Sequence, residues 1–325
     1  MQLTVDTESL PLSTPFRISG RVFNAVDTLV ATVTEDDYRG RGEAQGVYHL
    51  GETTSHMREQ LVALAAEVSR GLTREALQRV LPAGGARNAL DCALWDLEAK
   101  KTGRRAWDLA GLRPRPLLTA CTVSLAATAG EMAEQAAQLH AWPIIKLKLD
   151  ADDPVGRVAA AHARRPDAQL LVDANQAWTL EQLRDVVPHL RALGVRLIEQ
   201  PLPRGQDVAL ADYHCPVPLC ADESCLDSSE LAWTAARYQM VNIKLDKAGG
   251  LTEALQMARK ARDLGLNIMV GNMGGSSLSM APSFVVGLLA DVIDLDGPVD
   301  LARDRAHGLR YKQGVIAPPS ATLWG

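Results

Sequence analysis

The sequence predicts an α/β fold in which a TIM-like (β/α)7β barrel follows a small N-terminal α+β domain. The chain has 325 residues, of which 47% are hydrophobic, and this is enough for a large buried core. After a first third of mixed β and helical character, short apolar runs alternate with helical stretches, as in repeated β-α units. An open doubly wound sheet is the structural alternative.

The first third, residues 1–115, carries the α+β pattern. Two β-rich segments and the turn between them indicate a meander, and these are Val26–Thr34, Gly42–Val47 and Glu35-Asp36-Asp37. Apolar residues at helical spacing then predict helices over Thr53–Arg70 and Ala86–Lys101. We place the end of this domain near Pro114–Pro116, and we expect the C-terminal tail, about residues 300–325, to return and complete it.

The barrel is predicted over residues 116–299. Its eight strands are expected in the apolar runs Leu117–Val123, Ile144–Leu149, Gln169–Asp173, Val195–Glu199, Val217–Ala221, Met240–Leu245, Asn267–Gly271 and Val292–Leu295. Helical patterns lie between the runs, for example over Gly130–Leu139, Leu180–Leu193 and Leu251–Leu264. The helix after the eighth run is expected to be short or missing.

Composition and charge limit the classes of partner. A net charge of −5 and a pI near 5.8 argue against nucleic acid, which favours a basic stripe. The five cysteines form no C-x-x-C pair, so we interpret them as buried, reduced thiols of a cytoplasmic protein. The first ten residues lack the features of a signal peptide, and no apolar run reaches the ~20 residues that span a bilayer. We therefore expect a small-molecule substrate, no membrane partner, and a possible homo-oligomer.

Charged residues stand at or just after the ends of five successive apolar runs. In chain order they are Lys146, Lys148, Asp173, Glu199, Asp222 and Lys244. A charged residue in a buried strand is costly unless it is paired or bound to a metal. The carboxyl ends of barrel strands converge at the mouth, where active sites of such barrels are built. The pattern therefore predicts a catalytic site.

Three of these residues are carboxylates from adjacent strands. Asp173, Glu199 and Asp222 can surround one point, and three carboxylates at close range repel each other without a cation. Oxygen ligands with room for water suit Mg²⁺, so we predict one Mg²⁺ per active site. The alternative is three separate ion pairs.

The lysines predict acid–base chemistry. Lys146 and Lys148 share one face of their strand, so each is expected to lower the pKa of the other. Lys244 comes from the sixth run, across the barrel from the second. A substrate between Lys148 and Lys244 would have a base on each face, which suits removal of a proton from one side and its return from the other. The alternative for a single barrel lysine is a side chain that reaches out to solvent.

The segments around these residues resemble the muconate-lactonizing subgroup of the enolase superfamily in order and spacing. They are Lys146-Leu-Lys148, Val172-Asp173-Ala174-Asn175, Ile198-Glu199-Gln200-Pro201, Ala221-Asp222-Glu223-Ser224 and Asn242-Ile243-Lys244. The resemblance covers nearly the whole chain and implies an enolase-like barrel with an N-terminal capping domain. It also implies an isomerase in which lysine bases move a carbon-bound proton while Mg²⁺ stabilises an enediolate.

Within the subgroup the chain resembles dipeptide epimerases of the L-Ala-D/L-Glu type. The deciding segment is Asp294-Leu295-Asp296, because this D-x-D pair binds the free α-amino group of the dipeptide in such epimerases. The physical chemistry agrees, since both carboxylates lie on one strand face and suit an ammonium group. A turn or helix cap at Asp-Gly-Pro is the alternative.

The resemblance implies further substrate contacts. Lys146, Thr122 and Asn272 match positions that bind substrate in these epimerases. An arginine in the first capping-domain loop pairs with the substrate's side-chain carboxylate in the family, but Phe23 stands at that position here. Arg17 and Arg21 lie nearby, and we expect Arg21 to substitute. The identity of the second residue of the dipeptide is left open by this departure.

Two other classes of function are compatible with parts of the pattern. Other members of the subgroup share the metal and the lysines but need no ammonium site; they are o-succinylbenzoate synthase, N-succinylamino acid racemase and muconate cycloisomerase. A non-catalytic metal-binding scaffold is the more remote alternative, and it has no need for two opposed lysines.

Overall fold

A computed structural model describes the whole chain, Met1–Gly325. Its strands are β1 (Gln2–Ile18), β2 (Arg21–Glu35), β3 (Tyr38–Ala44), β4 (Leu117–Leu118), β5 (Cys121–Val123), β6 (Ile144–Lys148), β7 (Gln169–Asp173), β8 (Leu197–Glu199), β9 (Leu219–Ala221), β10 (Met240–Ile243), β11 (Asn267–Val270), β12 (Val292–Ile293), β13 (Tyr311–Lys312) and β14 (Val315–Ile316).

Twelve helices accompany the strands. They are α1 (Thr54–Ala63), α2 (Ala65–Ser69), α3 (Arg74–Val80), α4 (Gly85–Thr102), α5 (Ala106–Leu109), α6 (Ala129–Gln138), α7 (Pro154–Arg164), α8 (Leu180–Ala192), α9 (Leu231–Ala235), α10 (Leu245–Ala248), α11 (Leu251–Asp263) and α12 (Ser277–Gly287). Three 3₁₀ turns occupy Tyr48–Leu50, Asp207–Asp212 and Gly297–Asp300. No helix is both long and apolar enough to cross a membrane.

The N-terminal part is an antiparallel meander, β1-β2-β3, covered by helices. Helix α4 lies so close to β3 that a side chain at Gly40 or Gly42 would overlap the α4 backbone. Two local expectations were wrong. The predicted helix over Thr53–Arg70 is two helices that meet at Leu64, and the first residues form the long strand β1, which was not predicted.

The barrel consists of eight parallel strands, β5 to β12, in sequence order. Each of the eight predicted runs contains one of these strands. The backbone N–H of Ala120 donates to the carbonyl of Ile293 across 2.8 Å, which links the two ends of the sheet and excludes the open alternative. The connection after β12 is only a 3₁₀ turn, so the predicted (β/α)7β barrel is confirmed.

Alternation along the strands places an apolar layer below a charged layer inside the barrel. The lower layer contains Leu171, Leu197 and Cys220. The charged layer contains Asp173, Glu199 and Asp222. Each of them stands two residues after a member of the lower layer and therefore points to the same face. All five cysteines are free, and Cys215 is half-buried while the other four are buried.

The C-terminal tail packs on the helices of the first hundred residues. The indole N–H of Trp324 donates to the carbonyl of Cys92 over 3.1 Å, and the backbone N–H of Gly325 donates to Asp96 Oδ1 over 2.8 Å. Arg105 donates to three carbonyls of the tail. The tail therefore ties the end of the chain to α4 and to Arg105, which precedes α5.

Candidate active site

The predicted charged residues meet at the carboxyl end of the barrel. Strand register places Lys148 beside Asp173 and Asp173 beside Glu199. All are buried, although Lys148 and Lys244 keep 7% of their surface exposed and line one cleft. The cleft has a volume near 740 Å³ when its open mouth is included.

Lysine ammonium groups pair with the three predicted metal ligands. Lys148 Nζ lies 2.6 Å from Asp173 Oδ2, and Lys244 Nζ lies 2.6 Å from Asp222 Oδ2. Lys146 Nζ lies 2.7 Å from Glu199 Oε2 and 3.0 Å from Asp173 Oδ2. Because their oxygens turn toward lysines, the carboxylates do not form a metal-binding cluster as they stand.

The donor set nevertheless suits a divalent cation, because carboxylates outnumber lysines. Six carboxyl groups and four ammonium groups are buried here: Asp173, Glu199, Asp222, Glu223, Asp294 and Asp296, with Lys146, Lys148, Lys244 and Lys247. Glu223 Oε2 is buried without a hydrogen-bond partner, whereas Glu199 Oε2 and Asp222 Oδ1 each lie 2.7 Å from an ammonium group. Oxygen-only donors with an excess negative charge fit Mg²⁺.

The pKa values of these carboxyl groups reflect their burial and their neighbouring charges. Burial, with repulsion from Asp173, raises the pKa of Glu199 to about 7. Burial also raises the pKa of Glu223 to about 7, with repulsion from Asp222. At Asp173 burial is outweighed by Lys146 and Lys148, which lower its pKa to about 2. Burial is thus the main reason that the pKa values of Glu199 and Glu223 lie above the usual value of a glutamate.

The expectation that Lys146 has a lowered pKa was wrong for this arrangement. Burial opposes its charge, but Asp173 and Asp294 outweigh burial and raise the pKa of Lys146 well above its usual value. The same balance, with Asp222 as the main partner, raises the pKa of Lys244. The sequence argument considered repulsion between lysines, whereas direct carboxylate pairing is the stronger effect.

Lys148 and Lys244 stand on opposite sides of the barrel. Lys148 ends β6 and Lys244 follows β10, four strands further around a ring of eight. Both side chains reach the same cleft. Asp173, Glu199 and Asp222 come from the three strands between them. A carbon atom in the cleft could therefore meet an amine from either face.

Asp294 and Asp296 lie on the other wall of the cleft, after β12. Asp294 Oδ2 accepts a hydrogen bond from Lys146 over 2.9 Å, and its Oδ1 is buried without a partner. Asp296 Oδ2 accepts from the backbone N–H of Thr122 over 2.6 Å, and Asn272 donates to its Oδ1 at 3.4 Å. The structure thus brings Thr122 and Asn272 to the predicted D-x-D pair.

Asp296 has no cationic side chain within ion-pair distance, and Asp294 has only Lys146, which it shares with two other carboxylates. Burial raises the pKa of Asp296 to about 7, with repulsion from Asp294 and Asp300. Asp300 lines the same cleft, and no cationic side chain lies within ion-pair distance of it. An incoming ammonium group would therefore be attracted to this wall.

The mouth of the cleft is formed by the N-terminal domain. Phe23 lines the cleft and packs edge-to-face on Tyr48, with ring centres 5.4 Å apart. The guanidinium of Arg21 lies 4.7 Å from the centre of the Tyr48 ring. Arg21 is exposed and forms no ion pair, and it contacts the Phe23 and Tyr48 rings without lining the cleft itself. Arg17 is exposed and contacts the barrel through its backbone, with Ser124.

Sequence reasoning missed some residues of the site. Lys247 is buried, lies 2.7 Å from Asp222 Oδ1 and donates to three backbone carbonyls. Asn242 donates to Glu199 Oε1 over 2.8 Å. Tyr48 lines the mouth. Asn242 stands two residues before Lys244 on one strand face, so the alternation rule could have found it. No comparable signal exists for Lys247 or Tyr48.

Two family models match the chain. The mandelate racemase/muconate lactonizing enzyme N-terminal domain matches residues 1–111, and the enolase C-terminal domain-like family matches residues 128–322. The L-Ala-D/L-Glu epimerase of Escherichia coli (strain K12) is 41% identical over 95% of this chain and 97% of that protein. The N-acetyl-D-glutamate racemase of a Pseudoalteromonas species is 40% identical over 91% of this chain and 95% of that protein.

Solved structures agree with these relatives. An enolase family member from Agrobacterium tumefaciens, described as having homology to dipeptide epimerases and as binding sodium and L-Ala-L-Glu, is 42% identical with a TM-score of 0.97 over 99% of both chains. The dipeptide epimerase of Methylococcus capsulatus, complexed with Mg and L-Arg-D-Lys, is 29% identical with a TM-score of 0.90 over 98% of both chains. The chain therefore belongs to the mandelate racemase/muconate lactonizing enzyme family of the enolase superfamily.

Proposed function

We propose that this protein is a dipeptide epimerase, an isomerase that inverts the Cα of the C-terminal residue of an L-Xaa-L-Xaa dipeptide, with L-Ala-D/L-Glu as the favoured pair. One observation carries the proposal: two buried lysines, Lys148 and Lys244, reach one cleft from opposite sides, with three carboxylates on the strands between them. The epimerase relatives support the reaction class.

The chain's own residues account for the chemistry. A neutral lysine on one face takes the Cα proton, and the ammonium of the other lysine returns a proton to the opposite face, so that only configuration changes. We propose Asp173, Glu199 and Asp222 as Mg²⁺ ligands. The bound ion would stabilise the negative charge on the substrate carboxylate and draw the carboxylates away from the lysines.

The remaining residues orient the dipeptide. We propose that Asp294 and Asp296 bind its α-ammonium group, with Thr122 and Asn272 holding Asp296 in place. Lys146 holds Asp294 and Glu199, and so separates the ammonium wall from the metal ligands. Arg21 at the mouth is proposed to attract the side-chain carboxylate of the second residue.

An N-acylamino acid racemase is the second candidate. The racemase relative acts on an N-acetylated substrate, which has no ammonium group. The 40% identity over 91% of this chain is the observation that favours this candidate. The two candidates share the lysines and carboxylates, and they differ in their need for the Asp294–Asp296 pair.

Loss of either lysine should stop epimerisation. We expect Lys148→Ala and Lys244→Ala each to lower kcat for L-Ala-L-Glu by about 10²–10⁴-fold, the usual contribution of a general acid or base. In D₂O with Mg²⁺, mass spectrometry should show deuterium at Cα, and one variant should still exchange a single stereoisomer. Lys312→Ala, at an exposed site, is the control. Normal epimerisation by both variants would disprove the two-base mechanism.

Activity should depend on a divalent cation held by the three carboxylates. We expect dialysis against a chelator to abolish turnover and Mg²⁺ to restore it. Titration calorimetry should show Mg²⁺ binding to the apoprotein and little binding to Glu199→Gln, because that change removes a ligand while it keeps the side-chain volume. Asp212→Asn, at an exposed site, should bind Mg²⁺ normally. Equal binding by Glu199→Gln would remove Glu199 from the ligand set.

The Asp294→Asn/Asp296→Asn variant should separate the two candidate reactions. A buried charge pair contributes about 2–5 kcal/mol, so kcat/KM for L-Ala-L-Glu should fall at least about 30-fold. Turnover of N-acetyl- or N-succinyl-glutamate should be retained or should improve. If both substrate types lose activity equally, the pair supports the cleft and does not recognise the ammonium group.

Arg21 should determine the preference for an acidic second residue. A hydrogen bond to a charged group contributes about 1.5–3 kcal/mol, so Arg21→Met should raise KM for L-Ala-L-Glu by at least about tenfold. The same variant should leave KM for L-Ala-L-Met nearly unchanged. Arg17→Met is the matched control, because only the backbone of Arg17 contacts the barrel. An unchanged KM for L-Ala-L-Glu in Arg21→Met would show that another group binds the side chain of the second residue.

A further inference from the structure

Lys244 lies between strand β10, which pairs with β9 and β11, and a single short turn. Lys244 is the residue before α10, a helix of four residues. Its carbonyl accepts from the N–H of Ala248 over 3.0 Å, and the carbonyl of Leu245 accepts from the N–H of Gly249 over 2.7 Å. So short a helix has little stability of its own, and outside contacts must fix its position.

Arg87 from the N-terminal domain holds the end of this turn. Its Nη2 donates to the carbonyl of Ala248 over 2.6 Å, and its Nε donates to the carbonyl of Gly249 over 3.0 Å. Arg87 is buried and has no carboxylate within ion-pair distance. A Cβ added at Gly249 would lie 2.4 Å from Arg87 Nε, so glycine is required for the close approach. Its Nη1 donates over longer distances to the carbonyls of Leu81 and Gln78 in its own domain, so the two shortest hydrogen bonds of this buried charge go to the turn.

Asp246 makes a second contact between the turn and the N-terminal domain. Its Oδ1 accepts from the backbone N–H of Gly46 over 2.8 Å, and both residues are buried. Gly46 stands two residues before Tyr48, which lines the mouth of the cleft. The same four-residue turn therefore positions a lysine in the cleft and anchors the segment that covers it.

Lys148 is supported in a different way. It belongs to β6, which pairs with β5 on one side and β7 on the other. Lys148 itself pairs with Asp173 in the strand register. None of these pairings involves the N-terminal domain. The two lysines therefore differ in their dependence on the N-terminal domain.

We propose that Arg87 and Asp246 are positioning residues for Lys244, through which the N-terminal domain sets the base on one face of the substrate only. This inference rests on the two-base reaction proposed above. It predicts a stereochemical signature, because loosening the α10 turn should impair the half-reaction of Lys244 more than that of Lys148. A general loss of stability would impair both equally.

The experiment measures exchange of the Cα proton for deuterium separately from L-Ala-L-Glu and L-Ala-D-Glu, at early times, in the Mg²⁺-loaded full-length enzyme. Lys244→Ala first identifies which stereoisomer depends on Lys244 for proton removal. In Arg87→Met, exchange from that isomer should fall by about tenfold or more, since a 1 Å misplacement can cost about 10²-fold. Exchange from the other isomer should stay within about threefold of wild type.

Matched variants test whether a general loss of stability explains the slower exchange. Arg105→Met removes another arginine that donates to backbone carbonyls, but those carbonyls belong to the C-terminal tail. Any loss in Arg105→Met should be equal for the two isomers. Arg87→Lys should recover part of the lost exchange, because one ammonium group can still reach a carbonyl. Asp246→Ala breaks the second contact without removing Arg87, and it should show the same one-sided loss. This variant keeps the test possible if Arg87→Met does not fold.

The outcomes separate this inference from the proposed function. A wild-type enzyme that exchanges neither isomer contradicts the proposed function itself. A wild-type enzyme that exchanges both, with equal losses in Arg87→Met and Asp246→Ala, contradicts the positioning role and leaves the two-base reaction intact. Suppose instead that Arg87→Met slows exchange only from the isomer that Lys244→Ala still exchanges. That result also contradicts the positioning role.

Discussion

The site depends on one electrostatic constraint, the burial of more carboxylates than ammonium groups at the end of a barrel. A buried charge is tolerated only when an opposite charge lies close to it. Lys146 meets this need for three carboxylates at once, since its Nζ lies within 3.0 Å of Asp173, Glu199 and Asp294. The carboxylates still outnumber the ammonium groups, and this excess attracts a divalent ion and an ammonium group to the cleft.

The constraint also explains why the two halves of the cleft differ. On the wall formed by β6 to β9, carboxylates compete for lysines, and a cation there would release the lysines for proton transfer. On the wall after β12, Asp296 is held by a backbone N–H, which does not neutralise its charge. Carboxyl groups thus line both walls of the cleft, and Lys146 lies between them, within ion-pair distance of Asp173, Glu199 and Asp294.

The fold could be predicted from the sequence because its signals are local. The barrel strands are short apolar runs with charged ends, and alternation within a strand places Asp173 above Leu171 on the same inner face. Strand β1 was missed because it lies at the surface with polar residues and two prolines, Pro11 and Pro15, and has no apolar run.

Functional side chains escaped prediction where tertiary contacts create their environment. Lys247 resembles an ordinary surface lysine in the sequence, and it is buried only because carbonyls 22 and 25 residues earlier in the chain, at Cys225 and Asp222, meet it. Tyr48 belongs to a loop whose place over the cleft is fixed by Asp246, about 200 residues further along the chain. Periodicity cannot report contacts between such distant segments.

The N-terminal domain covers the open end of the barrel, and it contacts the turn beside one of the two lysines. A cover is usually explained by exclusion of water, which strengthens electrostatic interactions inside a site. Here Arg87 and Asp246 give the cover a second role, because they connect it to the turn that bears Lys244. The contacts of Arg87 and Asp246 therefore join the cover to the turn beside one base, whereas β5 and β7 flank the strand that carries the other base.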